Sequence, residues 1–263
     1  MDILRADHDM KRSPLQISGE SKHFTRHRLD CAALTAAGRG MAVNEDHCVF
    51  AAPGTPEAES AAAGYLFAVI DGNAHGGRGK AAAQETATSI LEILDDERRT
   101  LLRPDLLALR LHDANDRVTE FIHGRCAVTA VWMWEEPDSP GVQAAWAHVG
   151  DTRLYRQDRK GWRQVTRDHA KGRLLDRAIG GGPGLEIDTG RWTVRPGERL
   201  AILSDGTWNG AKPSSVLSMD PFPTTAEATR QLIGHARLNG GPNDTSAILI
   251  TVGDIASGPE PEH

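Results

Sequence analysis

The chain has 263 residues, enough for one large domain or two small ones, with 39% hydrophobic and 25% charged residues. This composition is typical of a packed globular protein, and the net charge of −6 argues against nucleic acid as the main partner, because phosphate binding needs concentrated Lys and Arg. No apolar run approaches the roughly 18 residues that span a membrane, so no membrane partner is expected. Three widely spaced cysteines argue against a disulfide framework or a Cys-based zinc site and favour a reduced, cytoplasmic setting.

The chain divides into three expected regions. Residues 1–26 are polar and aperiodic, which predicts a flexible leader without the apolar core of a secretory signal. Residues 27–253 carry the periodic segments and are expected to form one domain, followed by a disordered tail at 254–263. Within the domain, the Pro, Gly and Ala content of residues 52–64 predicts a surface loop.

The strand candidates are short, apolar and often β-branched. They are residues 47–52, 65–70, 127–134, 142–149, 153–156, 162–166, 199–204 and 245–252. Helical periodicity predicts helices over 79–98, 104–122 and 223–238. Turn residues at 135–141 and 157–161 predict antiparallel hairpins. Strands, then two adjacent helices, then more strands predict an α+β fold in which helices cover the outer faces of sheets.

Acidic residues recur beside small residues at the predicted strand ends. They lie in Asn44-Glu45-Asp46, Asp71-Gly72, Gly150-Asp151, Ser204-Asp205-Gly206 and Asn243-Asp244. A carboxylate is costly when it is buried alone and useful when it faces a cation, and a neighbouring glycine lets a ligand come close. A set of oxygen ligands favours Mg²⁺ or Mn²⁺ over zinc. Each motif alone is more often an ordinary turn, and we expect Gly150-Asp151 to join the strands of a hairpin.

The order of these motifs resembles that of the metal-dependent protein phosphatases of the protein phosphatase 2C family, also called PPM. The matching segments are VNEDH (43–47), FAVIDGNAHGGRG (67–79), CAVTAV (126–131), AHVGDTRLYR (147–156), VTRDHA (165–170), AILSDGTWNG (201–210) and GGPNDTSAILI (240–250). The match covers about residues 28–252, and its strength lies in the seven motifs following the family's order. The resemblance implies a four-layer αββα sandwich, in which two antiparallel sheets are flanked by pairs of helices and the metals lie at one end.

The resemblance also implies an activity, the hydrolysis of phosphoserine and phosphothreonine in proteins by a metal-activated water. The implied ligands of two Mn²⁺ or Mg²⁺ ions, with a third ion weak or absent, are Glu45, Asp46, Asp71, Gly72, Asp151, Asp205 and one of Asn243 and Asp244. Among them, Asp71 would bridge the two main ions and Asp151 would hold the third. The implied protein is a monomeric, single-domain bacterial signalling enzyme that acts on the phosphorylated products of a Ser/Thr kinase.

Three positions depart from the family's pattern. The closing motif has Asn243 before Asp244, the inverse of the usual order, so either residue could be the ligand. Asn209 stands where the family has an aspartate, which predicts weak binding of the third ion. Met41 stands where an arginine contacts the phosphate in some relatives, and Arg39 is the nearby candidate to replace it.

Other interpretations stay open at this stage. His75 lies two residues beyond the place where some relatives carry a general acid, so it is either a catalytic residue or a solvent-exposed loop histidine. A pseudophosphatase that binds a phosphoprotein or a kinase with weak turnover is favoured by Asn209 and by the inverted closing motif. A phosphatase of small metabolites is a further alternative. The absence of a Walker pattern disfavours a kinase or NTPase, and the shortage of aromatic residues disfavours a glycosidase.

Overall fold

A computed structural model describes residues 18–19, 27–52, 55, 64–73, 77–96, 103–136, 138–172, 174–211, 224–239 and 242–254. The strands are β1 (Ser18–Gly19), β2 (His27–Ala36), β3 (His47–Ala51), β4 (Tyr65–Gly72), β5 (Cys126–Trp134), β6 (Val142–Val149), β7 (Arg153–Asp158), β8 (Gly161–Gln164), β9 (Ala170–Lys171), β10 (Leu174–Leu175), β11 (Asp188–Val194), β12 (Arg199–Leu203) and β13 (Thr245–Asp254). The helices are α1 (Arg78–Leu91), α2 (Arg103–Arg117), α3 (Asp205–Ala211) and α4 (Thr225–Asn239), and a π-helical turn (Val118–Ile122) extends α2. None of the helices in this part of the chain is long and apolar enough to cross a membrane.

Two antiparallel sheets form the centre of the fold. One sheet has the strand order β1-β2-β13-β12-β7-β8 and the other has the order β11-β6-β5-β4-β3, while β9 and β10 form a separate small hairpin. Strand β4 illustrates how the sequence produces the layers. Its residues Tyr65, Phe67 and Val69 pack between the sheets, and the alternate residues Leu66 and Ile70 pack under the helices. Because both faces of β4 are buried, its sequence is a continuous apolar run.

A pair of helices covers each sheet. Ile90 of α1 and Leu107 of α2 pack in one apolar cluster with β4 and β5. Leu232 and Ile233 of α4 pack in another cluster with β12 and β13, at the outer face of the other sheet. The predicted four-layer αββα sandwich and its α+β class are therefore confirmed.

Most predicted elements are confirmed, with shifted ends. Both predicted hairpins form, since β5 pairs with β6 and β7 pairs with β8. The helix predicted over 79–98 ends at Leu91, and most of the predicted 52–64 loop lies outside the described residues. The sequence reasoning did not identify β2, β11 or the short helix α3, nor the two-strand hairpin of β9 and β10. Of the expected leader, Ser18–Gly19 pairs with β2, and its other residues lie outside the described part, as do residues 255–263.

The interpretation of Gly150-Asp151 as a hairpin turn was wrong. Strands β6 and β7 belong to different sheets, so this pair carries the chain from one sheet to the other. Gly150 has φ 103°, and a Cβ added to it would lie 2.3 Å from the Cβ of Ala127. Only glycine allows the chain to cross this closely over β5.

Candidate active site

Strand pairing brings the first two acidic motifs together. Asp46 directly precedes β3, and Asp71 and Gly72 are the last residues of β4. Because β3 and β4 are antiparallel, with His47 opposite Ile70, the start of one strand meets the end of the other. The carboxylates of Asp46 and Asp71 therefore lie at the same end of the sandwich.

The other sheet contributes the remaining acidic motifs at this end. Asp205 begins α3 immediately beyond β12, Asn243 lies just before β13, and Asp151 lies just before β7. The end of β12 pairs with the beginnings of β13 and β7 on its two sides. The five motifs, distant in the sequence, consequently converge on one end of the sandwich.

A chain of hydroxyl groups holds Asp46 and links the two sheets. The Ser246 hydroxyl donates to Oδ2 of Asp46 at 2.6 Å and lies 2.7 Å from Oγ1 of Thr35. Asn44 donates to Thr35 Oγ1 at 2.8 Å, and its own side-chain oxygen accepts from the Asp46 amide at 3.0 Å. The Ser246 amide donates to the Ser204 hydroxyl at 2.8 Å. The buried Asp46 carboxylate is thus fixed in position from both sheets.

Negative charge on the carboxyl groups at this end is unfavourable. Burial raises the pKa of Asp46 to about 8, and repulsion from Asp244 and Asp205 adds to the rise. Burial raises the pKa of Asp71 well above its usual range, as does repulsion from Asp46, Asp205 and Asp151. The pKa of Asp205 is also raised by burial, and that of Asp151 rises to about 6 for the same reason. Carboxylates in this state are stabilised by a shared proton or by a cation.

The donor set fits a hard divalent cation. Within the described residues, no three His, Cys, Asp or Glu side chains are already arranged to hold a metal ion. The carboxyls of Asp71 and Asp205 are instead in hydrogen-bond contact, which requires a proton between them. A divalent cation would replace that proton and neutralise the surrounding charge, and Mg²⁺ and Mn²⁺ prefer oxygen ligands of this kind.

Gly72 allows three backbone segments to meet beside the carboxylates. A Cβ added there would lie 2.6 Å from the carbonyl oxygens of both Glu45 and Gly79. The end of β4, the Glu45 loop and the start of α1 could not approach each other around a larger residue. The Gly72 and Glu45 carbonyls are thereby brought close to Asp71.

The two residues of the closing motif have different surroundings. Asp244 uses one carboxylate oxygen to accept from the Gly38 amide at 2.7 Å and the other to accept from the Glu45 amide at 2.6 Å. The side-chain amide of Asn243 donates to Oδ2 of Asp205 at 2.8 Å. Asn243 is therefore placed among the candidate ligands, whereas Asp244 fastens the loop that carries Glu45.

Arg39 contacts the end of a helix, and its contact with a substrate phosphate stays a prediction. Its Nη2 donates to the carbonyl oxygen of Arg237 at 3.0 Å and to that of Leu238 at 3.5 Å, at the carboxyl end of α4. The last carbonyls of a helix lack intrahelical donors, so a guanidinium is stabilised there rather than at a phosphate. His75, the other catalytic candidate besides Asp71, lies outside the described residues.

Sequence reasoning missed a cluster that supports the Asp151 turn. The Arg153 guanidinium donates from Nε and Nη2 to the Asp168 carboxylate at 2.9 and 2.6 Å and lies 3.3 Å from the centre of the Trp208 ring. The Trp208 indole in turn donates to the Asp151 carbonyl at 2.9 Å. These residues belong to three of the quoted motifs, but only the fold reveals that they meet. Asn209, the neighbour of Trp208, is exposed.

His169 stabilises the Gly150-Asp151 crossing from β6 to β7. Its Nδ1 accepts from the Gly150 amide at 3.2 Å, and its Nε2 lies 3.0 Å from Oδ2 of Asp188 on β11. The ring also packs against buried His148, with 4.7 Å between ring centres. This pair of histidines secures the crossing from β6 to β7.

The chain matches no protein-family model and no curated protein, but it resembles solved phosphatase structures. MsPP, a PPM Ser-Thr phosphatase from Mycobacterium smegmatis in complex with cacodylate, is 27% identical with a TM-score of 0.66, over 84% of this chain and 97% of that one. The catalytic domain of the phosphatase PstP, in complex with two manganese ions, is 22% identical with a TM-score of 0.69, over 88% and 100%. PppA, a regulatory component of T6SS in Pseudomonas aeruginosa, is 20% identical with a TM-score of 0.70, over 85% and 97%. The resemblance predicted from the seven motifs is therefore confirmed, and the chain has the fold of the protein phosphatase 2C, or PPM, family.

Proposed function

We propose that the protein is a Mn²⁺- or Mg²⁺-dependent phosphatase that hydrolyses phosphoserine and phosphothreonine in proteins. The observation that carries the proposal is the gathering of Asp46, Asp71, Asp151 and Asp205 at one end of the sandwich, where burial raises the pKa of each. A similar fold in PstP holds two manganese ions, and MsPP is a PPM phosphatase. The donor chemistry and the fold support the same activity.

The proposed ligands follow from their places in the cluster. Asp71 lies near Asp46, Asp151 and Asp205 and would bridge two ions, with the Gly72 carbonyl as a further ligand. Asp205 and the side-chain oxygen of Asn243 would hold one ion, and Asp46 and Glu45 would act through waters. Bound there, the ions would supply Lewis acidity for the phosphoryl oxygens and acidify a water for attack.

The chain's own contribution is rigid positioning. The Ser246 hydroxyl fixes the Asp46 carboxylate, and Asp244 fixes the loop that carries Glu45 through two backbone amides. Asp71 lies at the end of a strand paired along its whole length with β5. Preorganised groups of this kind need no rearrangement when charge develops in the reaction.

The proposed setting is a monomeric, cytoplasmic signalling enzyme that reverses the action of a Ser/Thr kinase. The three cysteines support this setting, since all three thiols are free and buried, as in a reducing compartment. The sedimentation coefficient of the purified chain would test the monomer, and dephosphorylation of a purified kinase substrate would test the partner.

Hydrolysis assays with and without metal test the activity itself. We expect turnover of p-nitrophenyl phosphate and of a phosphothreonine peptide in Mn²⁺, loss of both in EDTA, and recovery when Mn²⁺ is restored. Full activity in EDTA would contradict the metal requirement. Binding of the phosphopeptide without turnover in Mn²⁺ would indicate a pseudophosphatase, and a higher kcat/KM for sugar phosphates than for peptides would indicate a metabolite phosphatase.

A further inference from the structure

A cavity of about 220 Å³ lies beside the start of β5. It is separate from the carboxylate cluster, which consists of Asp46, Asp71, Asp151 and Asp205. Its lining includes Arg125, Asp176, Arg177, Glu186 and the glycine-rich segment 181–184. Small residues leave the two arginines accessible from the cavity. Whether the cavity can bind an anion therefore depends on which of its arginines is already paired with a carboxylate.

Arg125 is the arginine of this cavity without a partner among the described residues. Its Nε is buried and makes no hydrogen bond. Arg177, by contrast, lies 3.1 Å from Oδ1 of Asp188 and 3.6 Å from Oε2 of Glu186, and Asp176 lies 3.3 Å from the Lys171 ammonium. The Arg125 guanidinium lines the cavity without a carboxylate partner among the described residues, so it is suited to an anion that arrives from outside.

The backbone around Arg125 is fixed beside the candidate active site. The Arg125 carbonyl accepts from the Asn73 amide at 2.8 Å, and Cys126, the next residue, pairs with Gly72 and bridges to Ile179. Arg125 is two residues from Ala127, the partner of Asp71, or about 7 Å along the strand. An extended peptide covers a similar distance in two residues, so residues near a phosphorylated side chain at the cluster could reach the cavity.

We propose that Arg125 is a specificity-determining residue that binds an acidic group of the substrate close to its phosphorylated residue. The group is the carboxylate of an Asp or Glu, or a second phosphate, because a guanidinium fork matches both in geometry and charge. The inference rests on the proposed phosphatase function and adds a preference for acidic phosphoproteins. It assigns the cavity to the flanking residues of the substrate, while the scissile phosphate belongs to the carboxylate cluster.

Matched phosphothreonine peptides test this assignment. One has Gln at the positions flanking the phosphothreonine, one has Glu, and one has a second phosphoresidue. We expect kcat/KM to be about 10-fold higher for either acidic peptide than for the Gln peptide, the effect of one charge-assisted contact. The ratio between the Glu and phosphoresidue peptides tells which anion is preferred.

Substitutions at Arg125 test whether the preference for acidic peptides comes from the cavity. Arg125→Gln should reduce the acidic-to-neutral ratio to about 1, and Arg125→Lys, which keeps the charge, should retain part of it. Arg191→Gln is the matched control, since it removes an exposed arginine that does not line the cavity. This control should keep the full ratio.

Several outcomes would overturn the proposal. One is a wild-type protein that treats the three peptides alike, and another is Arg125→Gln retaining the preference. A third is an equal loss on all peptides and on p-nitrophenyl phosphate, which would place Arg125 at the scissile phosphate. If the wild-type protein hydrolyses none of them, the proposed phosphatase function is wrong, and fluorescence anisotropy of the same labelled peptides then tests Arg125 separately. Tighter binding of the acidic peptides that is lost in Arg125→Gln would support the subsite. Equal binding of all three peptides would overturn it.

Discussion

Replacement of Asp71 by Asn separates the electrostatic role of the cluster from its shape. The substitution removes a negative charge from a carboxyl whose pKa is raised by burial and by Asp46, Asp205 and Asp151, yet it keeps the outline of the side chain. The new amide can still donate to Asp205. Without metal the substitution relieves repulsion, and with metal it deletes a ligand charge. We therefore expect a more stable metal-free protein that has lost Mn²⁺-dependent activity.

The expected change in folding free energy can be scaled from Asp151, whose pKa rises to about 6, two units above the ordinary 3.8. Each unit corresponds to about 1.4 kcal/mol, so a carboxylate in this cluster loses about 3 kcal/mol of folding free energy above pH 6. The pKa of Asp71 is raised in the same direction, by burial and by three carboxylate neighbours, so the Asp151 figure sets the order of magnitude expected for its substitution. Because the raised pKa makes the folded state bind more protons than the unfolded state, stability falls as pH rises above about 4. For a domain of this size, Asp71→Asn should raise the Tm in EDTA at pH 8 by roughly 6–12 °C, and by much less at pH 5.

Thermal unfolding in EDTA and in Mn²⁺ at both pH values, with phosphopeptide kinetics, measures both effects. We expect the Mn²⁺-induced rise in Tm to shrink and kcat to fall at least about 100-fold. Asp138→Asn is the control, because Asp138 is exposed in the turn between β5 and β6 and loses the same charge. A lower Tm in EDTA at pH 8, an undiminished response to Mn²⁺, or more than a tenth of the activity would each refute the reasoning.

Three further predictions address neighbouring residues. Asn243→Asp should tighten Mn²⁺ binding about tenfold in calorimetry by adding charge beside the ion. Asp244→Ala should lower the Tm by several degrees because two backbone amides lose their acceptor. Loss of Mn²⁺ binding in Asp244→Ala, with no change in Asn243→Asp, would show Asp244 to be the ligand. Asn209→Asp should increase the anomalous signal of a third Mn²⁺ in soaked crystals, and full occupancy of that ion in the unmodified protein at low Mn²⁺ would contradict this. Burial lowers the pKa of His148 to about 4, below the 6.5 of an unfolded chain, so the unfolded state gains protons first as the pH falls. Urea unfolding should show a loss of about 3 kcal/mol between pH 6.5 and 4 that His148→Gln abolishes, and an equal slope in both proteins would count against it.

Most of the strands that the sequence predicted contain a run of buried apolar residues. Strand β4 is apolar throughout because both of its faces are covered. Strand β2 was missed because its alanines and the charged Arg28 and Asp30 do not form a β-branched run. Its ten residues are held in place by pairing with β13, more than 200 residues away along the chain. Strand β11 was missed because its exposed positions interrupt the apolar pattern.

The sequence indicated which acidic residues form the candidate site, but not which hydrogen-bond partners each of them has. The family resemblance, carried by acidic motifs at strand ends, implied that the carboxylates of Asp46, Asp71 and Asp205 gather at one end of the sandwich. The different surroundings of Asn243 and Asp244 depend on which backbone amides of a distant loop lack acceptors, and no local pattern encodes this. The contact of Arg39 with the end of α4 was not predicted for the same reason, since that end lies about 200 residues away in the sequence.

The site also has a structural consequence for the sandwich. Asp46 directly precedes β3 and Asp71 ends β4 in one sheet, Asp205 follows β12 of the other sheet, and the Ser246–Asp46 hydrogen bond is a direct polar link between the two sheets at this end. Repulsion among these carboxylates opposes the approach of the sheets where the protein is metal-free, and apolar packing between the sheets must hold them together. A divalent cation bound by residues of both sheets would reverse the sign of that interaction. In this architecture the residues proposed for catalysis therefore weaken the fold until the cation binds, so that metal binding and stability of the sandwich are linked.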